Sequence, residues 1–173
     1  MPIGVVMQRH AIDNPWQPFQ WKLIEIVDAV NFPSQFSSEQ PQIRCLRQDK
    51  DDANWLFGGL EVKLFSDEAE GYFLNISSPT PCWFVMWRLE DVDGNELAVP
   101  KSVTLSYNEA ARLMDGGEAV DTLPLSETIV ERLTTFTHTH YHPQPKKKNR
   151  KPSFEGGAGV EKMAQQEGGT HGG

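Results

Sequence analysis

The sequence predicts an α+β fold: an antiparallel meander sheet or half-barrel of five to seven strands, followed by two C-terminal helices. Segments with two-residue alternation fill most of residues 3–105, and two helical patterns with capping signals follow them. Strands first and helices last are typical of the α+β class. A change of composition after residue 141 predicts a single α+β domain over 1–141 and a disordered basic, Gly-rich tail over 142–173.

The first half of the chain contains three predicted strands. Residues 3–10 alternate apolar and polar side chains, and residues 20–28 form a second strand. The apolar face switches near Leu23, which predicts a bulge there or a strand buried on both sides. Polar residues and prolines predict a loop over 31–41, and residues 42–48 are a weak strand.

The middle of the chain is predicted to be a hairpin over residues 60–77. Gly58 and Gly59 indicate a bulge or turn before it. Its two strands are predicted from the alternation of Leu60, Val62 and Leu64 and then of Tyr72, Leu74 and Ile76, with a polar turn between them.

Cys82 to Leu89 is apolar on both faces, which favours a central strand covered on both sides. Trp83, Val85 and Trp87 share one face of this strand and are predicted core residues. Asp93-Gly94 predicts a tight hairpin turn, because Gly accepts positive φ. Residues 96–105 return as an edge or kinked strand, because Pro100 cannot donate to a sheet.

The two predicted helices have clear ends. Ser106 and Glu109 have the spacing of a capping box, and this helix ends at Asp115 before two glycines. Ser126 introduces the second helix, which ends near Tyr141. Its apolar stripe, at i, i+4 and i+7, is Ile129, Leu133 and Phe136.

The charge is unevenly spread. Residues 1–141 carry 10 Lys and Arg against 21 Asp and Glu, a net of −11, whereas residues 142–173 carry a net of +3. An acidic domain repels nucleic acids and anionic membranes, so neither is an expected partner. The start of the chain lacks the features of a signal peptide, and no stretch has the roughly 18 apolar residues of a membrane helix. We therefore expect a cytoplasmic protein.

The basic cluster of the tail is the first candidate contact with a partner, and it consists of Lys146, Lys147, Lys148, Arg150 and Lys151. Three interpretations are open: a solubilising tail, a nucleic-acid arm, and an electrostatic docking arm for an acidic protein. The acidic domain and the lack of an aromatic residue inside the cluster disfavour nucleic acid. A docking arm would mainly speed association, and salt would weaken it.

The second candidate contact is Trp16, which lies between Pro15 and Pro18 in a predicted loop. An aromatic side chain in a rigid loop either covers the end of the barrel or contacts a partner.

The sequence has one cluster of residue types that bind metals, formed by His138, His140 and His142. In an extended chain the three imidazoles would point the same way, and in a helix His138 and His142 would pair at i, i+4, a known metal-binding spacing. The alternative is a helix end at which histidines complement the helix dipole.

No catalytic motif is found. The chain has no GxSxG, phosphate-binding loop or GxGxxG, and its two cysteines, Cys45 and Cys82, are too far apart for a CxxC site. The acidic residues fall mostly in predicted turns, where solvation explains them. The sequence therefore predicts a protein that is not an enzyme and has no cofactor.

Several stretches resemble a small proteobacterial domain family of unknown function that is usually encoded beside formate dehydrogenase genes. The resemblance covers about residues 2–151. In the first part of the chain, the resemblance is found in Pro2-Ile3-Gly4-Val5-Val6, Asn14-Pro15-Trp16 and Trp21. In the middle it is found in residues 72–79, 83–88, 106–110 and 115–118. Near the end it is found in His140-Tyr141-His142-Pro143, which precedes the basic run. It implies a role in the assembly or operation of a molybdenum- or tungsten-containing formate dehydrogenase, and it implies no catalytic residue.

These observations lead to three functional hypotheses. The first is a non-enzymatic accessory protein that binds a formate dehydrogenase subunit or maturation factor. The second is a metal- or cofactor-handling protein that uses the three histidines. The third is a small enzyme whose site is assembled from residues scattered along the sequence.

Overall fold

The computed structural model describes residues 1–28 and 42–143. The predicted loop over 31–41 and the basic cluster at 146–151 therefore lie outside the described residues. The described part has seven strands: β1 (Pro2–Ala11), β2 (Phe19–Asp28), β3 (Ile43–Gln48), β4 (Asp52–Glu61), β5 (Cys82–Val92), β6 (Asn95–Thr104) and β7 (Ala119–Pro124). Its three α-helices are α1 (Ala69–Ile76), α2 (Tyr107–Asp115) and α3 (Glu127–His140), with a short 3-10 turn at Ser66–Glu68.

The strands form two antiparallel sheets. The first has the order β2-β1-β4-β3, and the second has the order β6-β5-β7. The predicted α+β class is confirmed, but the single meander sheet is wrong, because the chain leaves the first sheet after β4. The prediction that the helices all follow the strands is also wrong, because α1 lies before β5 and β7 lies between α2 and α3.

Two bulges shape the first sheet. In β2, Leu23 pairs with Met7 and Glu25 pairs with Val6, so Ile24 is an extra residue. This confirms the bulge predicted from the change of apolar face. In β4, Gly59 has a φ of 75° and lies where the pairing with β1 shifts. Gly59 is therefore inside a strand, and the predicted strand that begins at residue 60 is wrong.

The second sheet contains the predicted central strand. β5 pairs with β6 on one side and with β7 on the other, and its residues from Trp83 to Met86 are buried. Asp93 and Gly94 form the predicted hairpin turn with φ values of 53° and 79°. β6 is an edge strand, as Pro100 indicated, and its register shifts next to that residue. β7 was not predicted.

The second half of the predicted 60–77 hairpin is wrong, because Tyr72 and Ile76 belong to α1. Ala69 and Tyr72 are buried and Ile76 packs against the core, whereas Leu74 is 40 % exposed. The buried positions thus follow i, i+3 and i+7, the period of a helix. Alternate apolar residues over five positions fit both periods, so tertiary packing decided between them.

α1 is anchored by one buried amide. Asn75 is 1 % exposed, and its Nδ2 donates to the carbonyl oxygens of Cys82 and Leu105, each at 2.8 Å. Its Oδ1 accepts from the Cys82 N–H at 3.0 Å. One side chain therefore joins α1 to the beginning of β5 and to the end of β6. Gly71 permits a close approach nearby, because a Cβ there would lie 2.1 Å from Ser106 Oγ.

The two predicted helices are present as α2 and α3, but only α3 follows the last strand. Leu133 is fully buried, and Ile129 and Phe136 pack against the same core, as their spacing predicted. The core lies between the sheets and the helices and includes Ile3, Val5 and Met7 of β1 with Trp83 and Val85 of β5. Within residues 1–28 and 42–143, no helix combines the length and apolar character needed to cross a bilayer.

Candidate functional site

A groove of about 800 Å³ runs beside α3, and we call it the α3 groove. One wall is α3, and the opposite wall is the segment 62–65 that follows β4. Most of its lining is apolar. The lining residues are Met1, Val62, Lys63, Leu64, Phe65, Leu105, Ile129, Arg132, Leu133, Thr135, Phe136, Thr139 and His140.

The apolar floor follows from the helical period of α3. Ile129, Leu133 and Phe136 lie on one face, which is too wide for the core to cover entirely. Phe136 packs edge-on against Tyr72 of α1, with 5.7 Å between the ring centroids. Phe65, on the opposite wall, remains 55 % exposed. The groove therefore presents accessible apolar and aromatic surface.

The rim of the α3 groove carries positive charge. The lining includes Lys63 and Arg132, and it includes no aspartate or glutamate among the described residues. Met1 also lines the groove, and its ammonium group donates a hydrogen bond to the Val62 carbonyl oxygen at 2.8 Å. Glu61 lies just outside, 3.1 Å from the Lys63 ammonium and 3.7 Å from the terminal ammonium. The Lys63 ammonium lowers the pKa of Glu61 below its usual value, chiefly through their hydrogen bond. Glu61 thus offsets part of the positive charge.

Arg132 forms no ion pair with Glu61, so its positive charge is not neutralised by that carboxylate. Its guanidinium contacts the sulfur of Met1 at 3.9 Å, and within the described residues no carboxylate lies within 4 Å of it. His140 lies two turns further along α3, and its ring is 4.4 Å from that of Phe136. An anionic group that binds at this rim could therefore contact Arg132 without displacing an internal carboxylate.

The three predicted histidines do not lie on one face of α3. His138 and His140 are in its last turn, where the helix dipole favours positive charge, and two residues correspond to about 200° of helical rotation. The helix ends at His140, before His142, so the i, i+4 pair is not formed within it. In residues 1–28 and 42–143, no group of three or more His, Cys, Asp or Glu is arranged to hold a metal ion. Metal binding by the histidines stays a prediction.

Trp16 lies in the loop between β1 and β2 and is 93 % exposed. Asn14 Oδ1 accepts a hydrogen bond from the Trp16 N–H at 3.0 Å, and Ile12 N–H donates to Pro18 carbonyl oxygen across the loop at 2.9 Å. The indole therefore does not cover the end of a barrel, which was one of its two predicted roles. It also follows the end of β1 opposite Met1, and β1 alone spans about 30 Å at the usual rise of a ten-residue strand.

A second, more polar cleft of about 660 Å³ lies between β2 and β7. It is lined by Gln8, His10, Gln20, Trp21, Lys22, Leu23, Val120, Asp121 and Thr122. Asp121 accepts a hydrogen bond from the Leu23 N–H at 2.9 Å, so the carboxylate joins the edges of the two sheets. The most evident role of this aspartate is therefore structural.

Other shifted pKa values also have structural causes. Burial raises the pKa of the Cys82 thiol. The hydrogen bond from Arg88 lowers the pKa of Glu118, and both residues lie at the surface between β5 and the start of β7. Neither residue lines the α3 groove.

A hydrogen-bond network holds the amino end of α2. The Ser106 hydroxyl accepts from the Glu109 N–H at 3.1 Å, as the capping box predicted. The reciprocal contact differs, because Glu109 accepts from the Thr104 hydroxyl at 2.6 Å instead of from the Ser106 N–H. Ser106 Oγ also donates to Glu68 at 2.6 Å, and Arg112 donates to the other oxygen of that carboxylate.

This network makes stability depend on pH. The hydrogen bond from Ser106, followed by the interaction with Arg112, lowers the pKa of Glu68 although partial burial opposes the shift. A carboxylate whose pKa is lower in the folded than in the unfolded state stabilises the fold at pH values above its unfolded-state pKa. This stabilisation is lost as the pH falls through its folded-state pKa. We expect the free energy of unfolding of Glu68→Gln to be about 1 kcal/mol lower than that of the wild type at pH 7. This difference should shrink as the pH falls below 4.5, the ordinary pKa of a glutamate.

Urea unfolding at several pH values measures this effect, with the exposed Glu96→Gln as control. A constant difference between Glu68→Gln and the wild type from pH 7 to pH 3 would contradict it.

The sequence reasoning missed the α3 groove. The signal was present in part, because Arg132 and His140 flank the predicted apolar stripe of the last helix. Its other wall comes from Met1 and residues 62–65, which are far away in sequence. Only their positions in the fold place them opposite α3.

Comparison with known proteins gives one match. A family model described as a protein of unknown function (DUF3305) matches residues 2–150. No curated protein and no solved structure matches the chain.

Proposed function

We propose that this chain, which belongs to the DUF3305 family, is a non-enzymatic accessory protein that binds another protein of a formate dehydrogenase system. The observation that carries the binding role is the α3 groove, because it combines accessible apolar surface with charged groups at its rim. The link to a molybdenum- or tungsten-containing formate dehydrogenase rests on the sequence resemblance alone. The partner would be a subunit of the enzyme or one of its maturation factors.

The groove has the properties of a site that binds a segment of a protein. Grooves that bind peptides offer apolar anchoring positions along a helix, and α3 supplies these at the partly buried Ile129 and Phe136. Large aromatic side chains supply much of the binding energy at interfaces, and Phe65 is both exposed and part of the wall. Phe136 packs on Tyr72 of α1, so its ring is positioned in the groove by a contact inside the protein.

Two further contacts belong to the proposal. Trp16 is a second exposed aromatic anchor, but its distance from the groove means that one short segment could not contact both. The basic cluster at 146–151 begins six residues after His140, the last residue of α3. Five positive charges there would attract an acidic partner and speed its association.

The test is co-purification from the native host grown on formate, with four variants compared at equal expression. Phe65→Ser removes exposed apolar surface from the groove, and Leu46→Ser removes it from β3, where Leu46 is 52 % exposed. The other two are Trp16→Ala and the replacement of the five basic tail residues by Gln. We expect a formate dehydrogenase subunit or maturation factor to co-purify with the wild type and with Leu46→Ser, and at least five-fold less with Phe65→Ser.

The variants separate the parts of the proposal. Equal recovery with Phe65→Ser and Leu46→Ser would exclude the groove as the binding surface. Recovery of only proteins unrelated to formate dehydrogenase would refute the assignment to that system. Reduced recovery at high salt with the wild type, but not with the tail variant, would support the docking arm.

A further inference from the structure

We infer that the α3 groove binds an acidic, amphipathic segment of its partner, with apolar side chains on the groove floor and carboxylates at the rim. This inference rests on the proposed function only in taking the groove as a protein-binding surface. It does not depend on whether the partner belongs to a formate dehydrogenase system.

The charge of the groove lining is the first argument. The chain has 24 acidic and 16 basic residues, so a surface chosen at random would be acidic. The described lining of the groove instead contains Lys63 and Arg132, together with the imidazole of His140, and no carboxylate. Glu61 offsets Lys63 and the amino terminus in part, which leaves Arg132 to attract an anion. A local positive site on an acidic protein selects negatively charged partners and rejects others.

The spacing along α3 is the second argument. Arg132 and His140 both line the groove and are eight residues apart, which corresponds to about 12 Å along the helix. Leu133 and Phe136 lie between them on the same face. A matching segment would place two acidic groups about 12 Å apart with apolar side chains between them. In a partner helix, acidic residues seven or eight positions apart have this spacing. In an extended segment, acidic residues four positions apart have it.

Charge also argues against other occupants. The chain's own residues 144–173 carry six basic and three acidic side chains, so they would bring positive charge to a positive rim. In a symmetric dimer formed through this groove, the same patch of both copies would face each other, so a positively charged rim would meet a positively charged rim. An anionic membrane would be repelled by the domain, whose net charge is −11 over residues 1–141.

The test uses two synthetic 16-residue peptides with a fluorescent label. Both carry Leu at four positions spaced i, i+4, i+7 and i+11, and they differ only in having four Glu or four Lys at the flanking positions. Their binding to the full chain is measured by fluorescence anisotropy. We expect the Glu peptide to bind the wild type at least ten-fold more tightly than the Lys peptide.

Two charge-reversal variants test whether the preference for the Glu peptide arises at the groove rim. Arg132→Glu is at the groove rim, and Lys22→Glu makes the same change of net charge on β2, at an exposed position outside the groove. Arg132→Glu should remove the preference for the Glu peptide, whereas Lys22→Glu should keep its affinity within two-fold of the wild type. Circular dichroism melting checks that both variants fold.

The outcomes distinguish this inference from the proposed function. A preference for Glu that Arg132→Glu leaves intact would overturn the inference, because the charge would then act elsewhere, for example at the basic tail. Equal binding of both peptides would also overturn it. If Phe65→Ser abolished that equal binding, the groove would remain a protein-binding surface whose partner is not selected by charge.

Discussion

Replacement of Asn75 by Ala is expected to destabilise the protein by about 3 kcal/mol. The substitution leaves two carbonyl oxygens and one N–H without their partner in a buried place, and each such group costs roughly 1–3 kcal/mol. Asn75→Asp should cost more, because a carboxylate oxygen would face the carbonyl oxygens of Cys82 and Leu105 in the interior. Urea unfolding at pH 7, followed by circular dichroism, measures both changes.

The matched control is Asn95→Ala. Asn95 is exposed beside the turn between β5 and β6, and its Nδ2 makes one long contact of 3.4 Å with the carbonyl oxygen of Asp93. Its replacement should change stability by less than about 0.5 kcal/mol. A loss below about 1 kcal/mol for Asn75→Ala would mean that water replaces the amide, and that α1 is not anchored through this residue.

Trp83→Ala is expected to have an effect of similar or larger size, about 3–5 kcal/mol. Trp83 is 6 % exposed in the core between the sheets, and truncation of a large buried aromatic leaves a cavity. The sequence predicted Trp87 to be a core residue as well, but Trp87 is only partly buried and packs against this core. We therefore expect Trp87→Ala to cost less than Trp83→Ala.

Thermal and urea unfolding of the two single variants and the double variant test this. The two residues share one cluster with Val85, so the double variant should differ from the sum of the single effects. Trp16→Ala makes the same substitution at an exposed site and should change stability by less than about 0.5 kcal/mol. If Trp83→Ala also cost less than about 1 kcal/mol, the residue would be part of a binding surface instead of the core.

Local signals predicted the elements that they determine by themselves. The turn at Asp93 and Gly94 needs positive φ, and both residues accept it at low cost. Ser106 caps α2 through a hydrogen bond to a residue three positions away. The apolar stripe of α3 has the i, i+4 and i+7 spacing of a helix. The bulge at Ile24 was visible because it changes which side chains face the core. In each case the signal lies within a few residues of the sequence.

α1 and β7 were missed because their local patterns are weak. The apolar residues from Tyr72 to Ile76 fit a strand as well as a helix, and the helix is favoured by the buried contacts of Asn75 with residues after β6 and at the beginning of β5. β7 has six residues and is mostly exposed or half-exposed, so its sequence has no clear apolar face. Its stability comes from pairing with β5, which the sequence pattern does not record.

The candidate site also combines residues that the sequence indicated with a groove that only the fold creates. The sequence pointed to Trp16, to three histidines and to a basic cluster, because exposed aromatic residues and charge runs are recognisable one segment at a time. The α3 groove needs the amino terminus, residues 62–65 and α3 together, and their separation along the chain is up to about 140 residues. Only folding brings them within contact distance.

The sequence by itself determined the α+β class, the central strand β5, the hairpin turn, the two last helices and the uneven charge of the chain. These follow from periodicity, caps, turn residues and composition, which act over a few residues. The tertiary structure decided that the strands form two sheets, that residues 69–76 are helical, and that Arg132 lies at the rim of an apolar groove. These depend on burial and on contacts between distant segments, because a side chain is buried or exposed only in relation to what the fold places against it.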